Sequence, residues 1–91
     1  MRVRLPDVMP NVTLYSKPDC PLCDEAREAL ARVHARVPFG LEEVDITTDR
    51  TLEERYVERI PVVALDGEEL FDLHVDEHEL QRRLEQEVAA R

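Results

Sequence analysis

Two cysteines, Cys20 and Cys23, are the residues of this chain whose type and spacing most directly imply chemistry. Side chains at this spacing lie on one face of a helix, so at a helix start the two thiols are close enough to form a disulfide. The first helical turn also offers unpaired N–H groups and the positive end of the helix dipole, and both favour a thiolate. Pro21 suits the first helical position, where its fixed φ and missing N–H are tolerated. The C-x-x-C segment therefore predicts a dithiol that attacks a disulfide, closes its own bridge and releases the product.

Metal binding is the alternative for the same two thiols. His74 and His78 stand at H-x₃-H spacing, so the residues of a Cys₂His₂ zinc site are present. The segment between Cys23 and His74 is much longer than the corresponding segment of a zinc finger. We therefore assign no metal ligands, and we keep a non-enzymatic binding or metal-holding module as the alternative function.

The composition limits the partners. The chain has 91 residues, a net charge of −9 and 43% hydrophobic residues. The negative charge argues against nucleic acid and against anionic membrane surfaces. No transmembrane span is visible, and the first residues lack the apolar run of a signal peptide. A lone C-x-x-C pair without an export signal points to the cytoplasm and to a reversible reaction, and we expect a monomer.

Hydrophobic periodicity predicts the order of the elements. β-Branched, aromatic or alternating apolar residues predict strands at 12–15, 41–46, 60–65 and 69–73. Apolar residues at three- and four-residue steps predict a helix at 21–36. Capping pairs predict two further helices, one from Thr51 with Glu54 and one from Asp76 with Glu79. Asp66-Gly67 predicts a tight hairpin turn.

The resulting order, β-α-β-α-β-β-α, predicts an α/β fold. A strand–helix–strand unit requires a parallel pair with a right-handed crossover, and the hairpin adds antiparallel strands. We therefore expect a mixed four-stranded sheet flanked by three helices, with helices on both faces. Residues 1–91 are interpreted as a single domain with a core at about 11–88, and residues 1–10 as a loose lead-in.

Two segments resemble the glutaredoxin family of the thioredoxin-like superfamily. Segment 15–23, Tyr-Ser-Lys-Pro-Asp-Cys-Pro-Leu-Cys, resembles the glutaredoxin active-site segment, and segment 59–63, Arg-Ile-Pro-Val-Val, resembles the superfamily's cis-proline strand. The resemblance covers roughly residues 12–88 and includes the order of the elements. It implies a thioredoxin-like, glutaredoxin-type fold and a dithiol–disulfide oxidoreductase.

The resemblance also implies roles at the dithiol. Cys20 is the exposed nucleophile and Cys23 the resolving thiol, while Lys17 faces the nucleophile and a carboxylate of glutathione. The substrates are disulfides of proteins or small molecules, and a thiol reductant resets the pair. No tightly bound cofactor is needed, and glutathione is a candidate cosubstrate.

Further implied roles concern the substrate. Pro61 is expected to be cis, which leaves backbone groups of Ile60 or Val62 free to pair with a substrate segment. Asp76, at the start of the last helix, corresponds to a residue that grips glutathione. Leu22 occupies a substrate-facing position where many glutaredoxins have tyrosine.

Three departures from the family pattern concern glutathione. Leu22 offers no hydroxyl, Arg59 replaces the usual threonine two residues before Pro61, and His74-Val75 replaces the glycine pair before Asp76. Arg59 could supply a carboxylate fork in compensation if its side chain points into the groove. We therefore predict weak glutathione binding and a preference for protein or peptide disulfides.

Overall fold

Four strands form one mixed sheet in the computed structural model, which describes residues 9–90. The strands and helices occur in the predicted order. They are β1 (Asn11–Ser16), α1 (Pro21–His34), β2 (Gly40–Asp45), a 3₁₀ turn (Ile46–Thr48), α2 (Arg50–Tyr56), β3 (Val62–Leu65), β4 (Glu68–Asp72) and α3 (Glu77–Ala90). The spatial order is β2-β1-β3-β4, with β1 parallel to β2 and the other two pairs antiparallel. The predicted α/β fold class is confirmed.

The two faces of the sheet bury different apolar clusters. Leu14 and Val63 belong to a cluster that also contains Leu30 of α1 and Leu84 of α3. The chain neighbour of Val63, Val62, belongs to a second cluster, which contains both cysteines and Tyr56 of α2, and Tyr15, the neighbour of Leu14, packs against that cluster. Because successive strand residues point to opposite faces, α1 and α3 cover one face and α2 covers the other. The dithiol itself packs into the α2-side cluster.

The start of α2 differs from the prediction. Its N-cap is Asp49, whose carboxylate accepts hydrogen bonds from the amides of Thr51 (2.8 Å) and Leu52 (3.2 Å). The helix therefore begins at Arg50, and Thr51 lies inside it rather than capping it. Either oxygen-bearing side chain can cap a helix. The extended backbone of Asp49 (φ −144°, ψ 116°) places this carboxylate, and not the Thr51 hydroxyl, at the helix end.

All four strands differ from the prediction by one or two residues at one or both ends, and Leu73 lies just after β4 instead of within it. Ile60 and Pro61 precede β3, which begins at Val62, and Ile46 lies in the 3₁₀ turn after β2. The Asp66-Gly67 turn is confirmed, since both residues have positive φ (50° and 91°), as a type I′ hairpin requires.

The predicted lead-in lies largely outside the described residues. Pro10 is an exception, because it is fully buried and its carbonyl accepts a hydrogen bond from the Gly40 amide at 2.8 Å. The chain is therefore anchored one residue before the predicted core. None of the helices within residues 9–90 is long and apolar enough to span a bilayer.

Candidate active site

The loop between β1 and α1 places Cys20 at the helix end. Asp19 adopts a left-handed backbone conformation (φ 57°), which aspartate tolerates better than most residues. Cys20 follows in an extended conformation and is the N-cap of α1, with Pro21 as the first helical residue. The Cys20 sulfur accepts a hydrogen bond from the Cys23 amide at 3.2 Å. In the reduced protein this contact and the helix dipole both stabilise a Cys20 thiolate.

The two cysteines are joined by a disulfide across one turn, with their Cα atoms 5.2 Å apart. Cys20 retains 9% of its surface exposed, whereas Cys23 is completely buried. Only Cys20 can therefore be reached from solvent by a substrate sulfur. The arrangement can carry out thiol–disulfide exchange, with one accessible and one enclosed sulfur.

Aromatic and aliphatic side chains enclose the inner side of the dithiol. Ile60, Val62 and Tyr56 are buried in the same cluster as the cysteines, and Leu22 packs against that cluster. The rings of Tyr15 and Tyr56 are stacked with centroids 4.5 Å apart. These neighbours exclude water from Cys23. The only reactive group near its sulfur among the residues of this cluster is the sulfur of Cys20.

A charged network joins the dithiol helix to the sheet. Glu43 of β2 accepts two hydrogen bonds from Arg27 (2.6 and 3.0 Å) and one from the buried Ser16 hydroxyl (2.7 Å). Arg27 also donates to Asp24, beside Cys23, at 2.7 Å. Hydrogen bonds from Arg27 are the main cause that lowers the pKa of Glu43, and the contact with Glu43 raises the pKa of Arg27. The network fixes the first two turns of α1 on β1 and β2.

The segment before β3 limits which backbone groups are available to pair with a substrate. The Ile60–Pro61 peptide bond is cis. The Ile60 amide is not free, because it donates to the Tyr56 carbonyl at 3.1 Å. Val62 lies in the sheet between Tyr15 of β1 and Asp72 of β4. The chain's own hydrogen bond thus occupies the Ile60 amide, which is one of the groups expected to pair with a substrate.

Arg59 is held by carboxylates of β4. Its guanidinium donates to Glu69 at 2.6 Å and to Asp72 at 3.1 Å. Glu69 also accepts from the Tyr56 hydroxyl at 2.9 Å, and the Arg59 guanidinium lies 5.5 Å from the centre of the Tyr56 ring. Hydrogen bonding by Arg59 lowers the pKa of Glu69, while burial is the main cause that raises the pKa of Tyr56. The arginine therefore does not offer the carboxylate fork considered from the sequence.

The remaining predicted residues lie at the rim. Lys17 is exposed in the loop after β1 and forms no ion pair with any residue between 9 and 90. Asp76 is exposed and caps α3, since its carboxylate accepts from the Glu79 amide at 3.0 Å. The structure thus groups Leu22, Ile60 and Val62 with the cysteines, whereas Lys17 and Asp76 remain solvent-facing residues without contacts to the sulfurs.

A groove that the sequence did not predict adjoins the dithiol. It has a volume of about 160 Å³ and lies between α1 and segment 73–77. Leu73 lines it in a left-handed conformation (φ 68°) that is unusual for leucine. Leu73 carries no sequence signal for this conformation, which is normally marked by glycine or asparagine.

The alternative metal site is not assembled in the part of the chain that the structure describes. Within residues 9–90, no group of three or more His, Cys, Asp or Glu side chains is arranged to hold a metal ion. His74 lies at the groove instead. Cys20 and Cys23 are joined to each other by the disulfide.

Comparison with known proteins places the site in a family. The sequence model described as "Glutaredoxin-like domain (DUF836)" matches residues 11–85, which include both cysteines and Pro61. An uncharacterised protein of Mycobacterium tuberculosis (strain ATCC 25618 / H37Rv) is 33% identical over 76 residues, covering 78% of each chain.

Solved structures show the same architecture. A structural genomics target protein from X. campestris is 38% identical, with a TM-score of 0.70, and covers 82% of this chain and 96% of its own. Protein Ne2328 from Nitrosomonas europaea is 23% identical, with a TM-score of 0.74, covering 92% and 96%. A mutant thioredoxin from Halobacterium salinarum NRC-1 is 19% identical, with a TM-score of 0.66, covering 92% and 82%. The last two likenesses concern the fold alone.

Proposed function

We propose that this chain, which belongs to the glutaredoxin-like domain family (DUF836), is a thiol–disulfide oxidoreductase acting through Cys20 and Cys23. The observation that carries the proposal is the asymmetry of the pair. Cys20 is the N-cap of α1, retains 9% of its surface exposed and accepts a hydrogen bond from the Cys23 amide, while Cys23 is completely buried. A thiolate at Cys20 is stabilised where a substrate can reach it, and its partner can react only with Cys20.

The exchange proceeds in two displacements that conserve atoms and electrons. The Cys20 thiolate attacks one sulfur of a substrate disulfide, which forms a mixed disulfide and expels the other substrate sulfur as a thiolate. The Cys23 thiol loses its proton to the departing substrate thiolate and attacks the Cys20 sulfur. This step breaks the mixed disulfide, closes the Cys20–Cys23 bridge and releases the second substrate thiol. Two electrons pass from the protein dithiol to the substrate.

An external thiol reductant returns the bridge to the dithiol, so neither a metal nor a bound organic cofactor takes part. Glutathione is one such reductant, and a dithiol protein is another. A reducing compartment such as the cytoplasm suits a reversible pair of this kind, because structural disulfides are rare there. We assign the protein to that compartment as part of the same proposal, acting as a monomer without nucleic acid or membrane partners.

Protein or peptide disulfides are the favoured substrates. Arg59 is already paired with Glu69 and Asp72, and the Ile60 amide is bonded to Tyr56. Two groups remain available for the carboxylates of glutathione, namely Lys17 and the N-terminus of α3 beside Asp76. The resemblance to glutaredoxins implies more such groups than these two. Binding of free glutathione therefore depends on few contacts.

The decisive experiment couples a redox titration to a turnover assay. We expect the wild-type protein to show a reversible two-electron transition and to reduce a small disulfide catalytically. The reductant is glutathione in one series and a thioredoxin–thioredoxin reductase system in the other. Cys20→Ser is expected to abolish turnover in both series. A wild-type protein that consumes only one equivalent of reductant per chain, with no turnover, would refute the proposal.

A further inference from the structure

Tyr56, the last residue of α2, has a hydroxyl group that the filling of space does not explain. The residue is 4% exposed and belongs to the buried cluster that contains both cysteines. Phenylalanine would fill almost the same volume without a hydroxyl, and a buried hydroxyl costs free energy unless it is hydrogen-bonded. Here it donates to the Glu69 carboxylate of β4 at 2.9 Å. A tyrosine at this position therefore points to a role for that hydrogen bond.

Glu69 divides its carboxylate between Tyr56 and Arg59. One oxygen accepts from the Tyr56 hydroxyl and the other accepts from the Arg59 guanidinium at 2.6 Å. Burial is the main cause that raises the pKa of Tyr56, and the hydrogen bond from Arg59 is the main cause that lowers the pKa of Glu69. The tyrosine therefore stays a donor and the glutamate a charged acceptor at neutral pH. A hydrogen bond to a charged acceptor is of the stronger, geometrically defined kind.

The backbone and the ring of Tyr56 contact the segment that follows α2. The Tyr56 carbonyl accepts from the amides of Arg59 (2.8 Å) and Ile60 (3.1 Å). The Arg59 guanidinium lies 5.5 Å from the centre of the Tyr56 ring, and Tyr15 of β1 stacks on the same ring with centroids 4.5 Å apart. The hydroxyl, the carbonyl and the ring of one residue thus hold Arg59 and Ile60 relative to β1 and β4.

Ile60 and Tyr56 form part of the wall around the two sulfurs. Ile60 is 6% exposed and lies in the same cluster as the cysteines and Tyr56. Cys23 is completely buried in that cluster, so its sulfur moves toward Cys20 only in the space that the wall leaves. An attacking atom must be held close to its target and in line with it, and a misplacement of about 1 Å can slow a reaction about 100-fold. The position of the wall therefore affects the attack by Cys23.

We propose that Tyr56 is a positioning residue for the second displacement, because its hydroxyl bond to Glu69 fixes the wall that aligns the Cys23 sulfur with the Cys20 sulfur. In this step the bond between Cys20 and Cys23 forms while the bond between Cys20 and the substrate sulfur breaks, and the substrate sulfur leaves as a thiolate. The inference rests on the proposed function. The first displacement takes place at Cys20, which solvent reaches, and should depend little on Tyr56.

A stopped-flow reaction with 5,5′-dithiobis(2-nitrobenzoate) separates the two displacements. The reduced protein releases one thionitrobenzoate when Cys20 attacks the reagent and a second when Cys23 displaces the group bound to Cys20, and absorbance follows both. The rate of the first phase rises with reagent concentration, whereas that of the second does not. Cys23→Ser should show the first phase alone. For Tyr56→Phe we expect a second phase about tenfold slower than in the wild type and a first phase within about twofold of it.

Asp49→Ala is the matched control, because it removes the N-cap at the other end of the same helix. It destabilises α2 while leaving the side chains of Tyr56, Glu69 and Arg59 in place, and we expect both phases to keep the wild-type rates. Glu69→Ala should slow the second phase as Tyr56→Phe does. Adding Tyr56→Phe to Glu69→Ala should change the rate by no more than about twofold, because the hydroxyl has already lost its acceptor.

The outcomes separate this inference from the proposed function. A second phase in Tyr56→Phe that is as fast as in the wild type would overturn the positioning role alone. Equal slowing by Asp49→Ala would assign the effect to lost stability and overturn it as well. If Tyr56→Phe does not fold, the second phase of Glu69→Ala decides in the same way. Release of thionitrobenzoate that does not depend on Cys20 would refute the proposed function itself.

Discussion

The Arg59 guanidinium donates a 2.6 Å hydrogen bond to the carboxylate of Glu69. This pair joins the segment that precedes Pro61 to the edge strand β4, and a second bond from Arg59 to Asp72 lengthens the contact along the strand. The guanidinium of Arg59 already binds two carboxylates of the protein, so it is not available to bind the carboxylate of a ligand. Its side chain therefore secures the cis-proline segment against β4 and does not recruit an anionic substrate.

Glutathione binding is expected to be weak in consequence. Calorimetry with the Cys20→Ser, Cys23→Ser protein should give a Kd of about 1 mM or weaker, which corresponds to about −4 kcal/mol. Lys17→Ala should weaken the binding further, because Lys17 is the exposed cation nearest in sequence to the dithiol. Arg50→Ala, which removes an exposed arginine at the start of α2, is the control for a nonspecific charge effect. Micromolar binding that is sensitive to Lys17→Ala would contradict this prediction.

The two single-cysteine variants are expected to differ in whether they capture a substrate as a mixed disulfide. Cys20→Ser should neither turn over nor capture a substrate, because the remaining thiol of Cys23 is fully buried. Cys23→Ser should accumulate a mixed disulfide at Cys20, since the resolving thiol is gone. Intact-protein mass spectrometry after incubation with a peptide disulfide distinguishes the two. Equal trapping by both variants would show that the roles are not divided as proposed.

The network around Glu43 predicts a specific pH dependence of stability. The pKa of Glu43 is lowered in the folded state, chiefly by hydrogen bonds from Arg27. A carboxyl with a lowered folded pKa contributes stability above its unfolded pKa of about 4.3 and loses that contribution as the pH falls through the folded value. Glu43→Gln should therefore reduce the free energy of unfolding by about 1 kcal/mol at pH 7, a figure that allows for solvent screening of side chains more than a third exposed.

Urea unfolding between pH 7 and pH 3 measures this contribution. The difference between wild type and Glu43→Gln should shrink steadily below about pH 4, where the folded-state advantage of the charged form is lost. Glu42→Gln is the control, because Glu42 is an exposed neighbour that makes no ion pair within residues 9–90. A Glu43→Gln difference that stays constant with pH would show that the pair with Arg27 does not contribute in this way.

The cap of α2 offers a paired stability test. Asp49→Ala removes the acceptor for the amides of Thr51 and Leu52 and should lower the free energy of unfolding by about 1 kcal/mol, the usual loss for an N-cap. Thr51→Ala removes the residue that the sequence pattern had indicated as the cap. It should leave stability unchanged or raise it by a few tenths of a kcal/mol, because alanine is the better helix former. Thermal unfolding of both variants decides which residue caps the helix.

The sequence alone determined the order of elements and the location of the chemistry. Both depend on local signals, namely the two-residue and 3.6-residue spacing of apolar side chains, the Asp66-Gly67 turn and the adjacent cysteines of the C-x-x-C segment. Such signals survive in any packing arrangement, because the backbone geometry that they favour is set within a few residues. The resemblance to glutaredoxins added the family, and the match over residues 11–85 confirmed it.

Only the tertiary structure decided which polar groups around the dithiol are available. Arg59 donates hydrogen bonds to Glu69 and Asp72 because the pairing of β3 with β4 brings these residues together. The Ile60 amide donates to the carbonyl of Tyr56, the last residue of α2. Leu73 adopts positive φ because two carbonyls of the preceding segment converge on its amide. The contacts of Arg59 and Leu73 join residues ten or more positions apart in the chain. Their geometry depends on sheet register and helix placement, which no local pattern of residue types encodes.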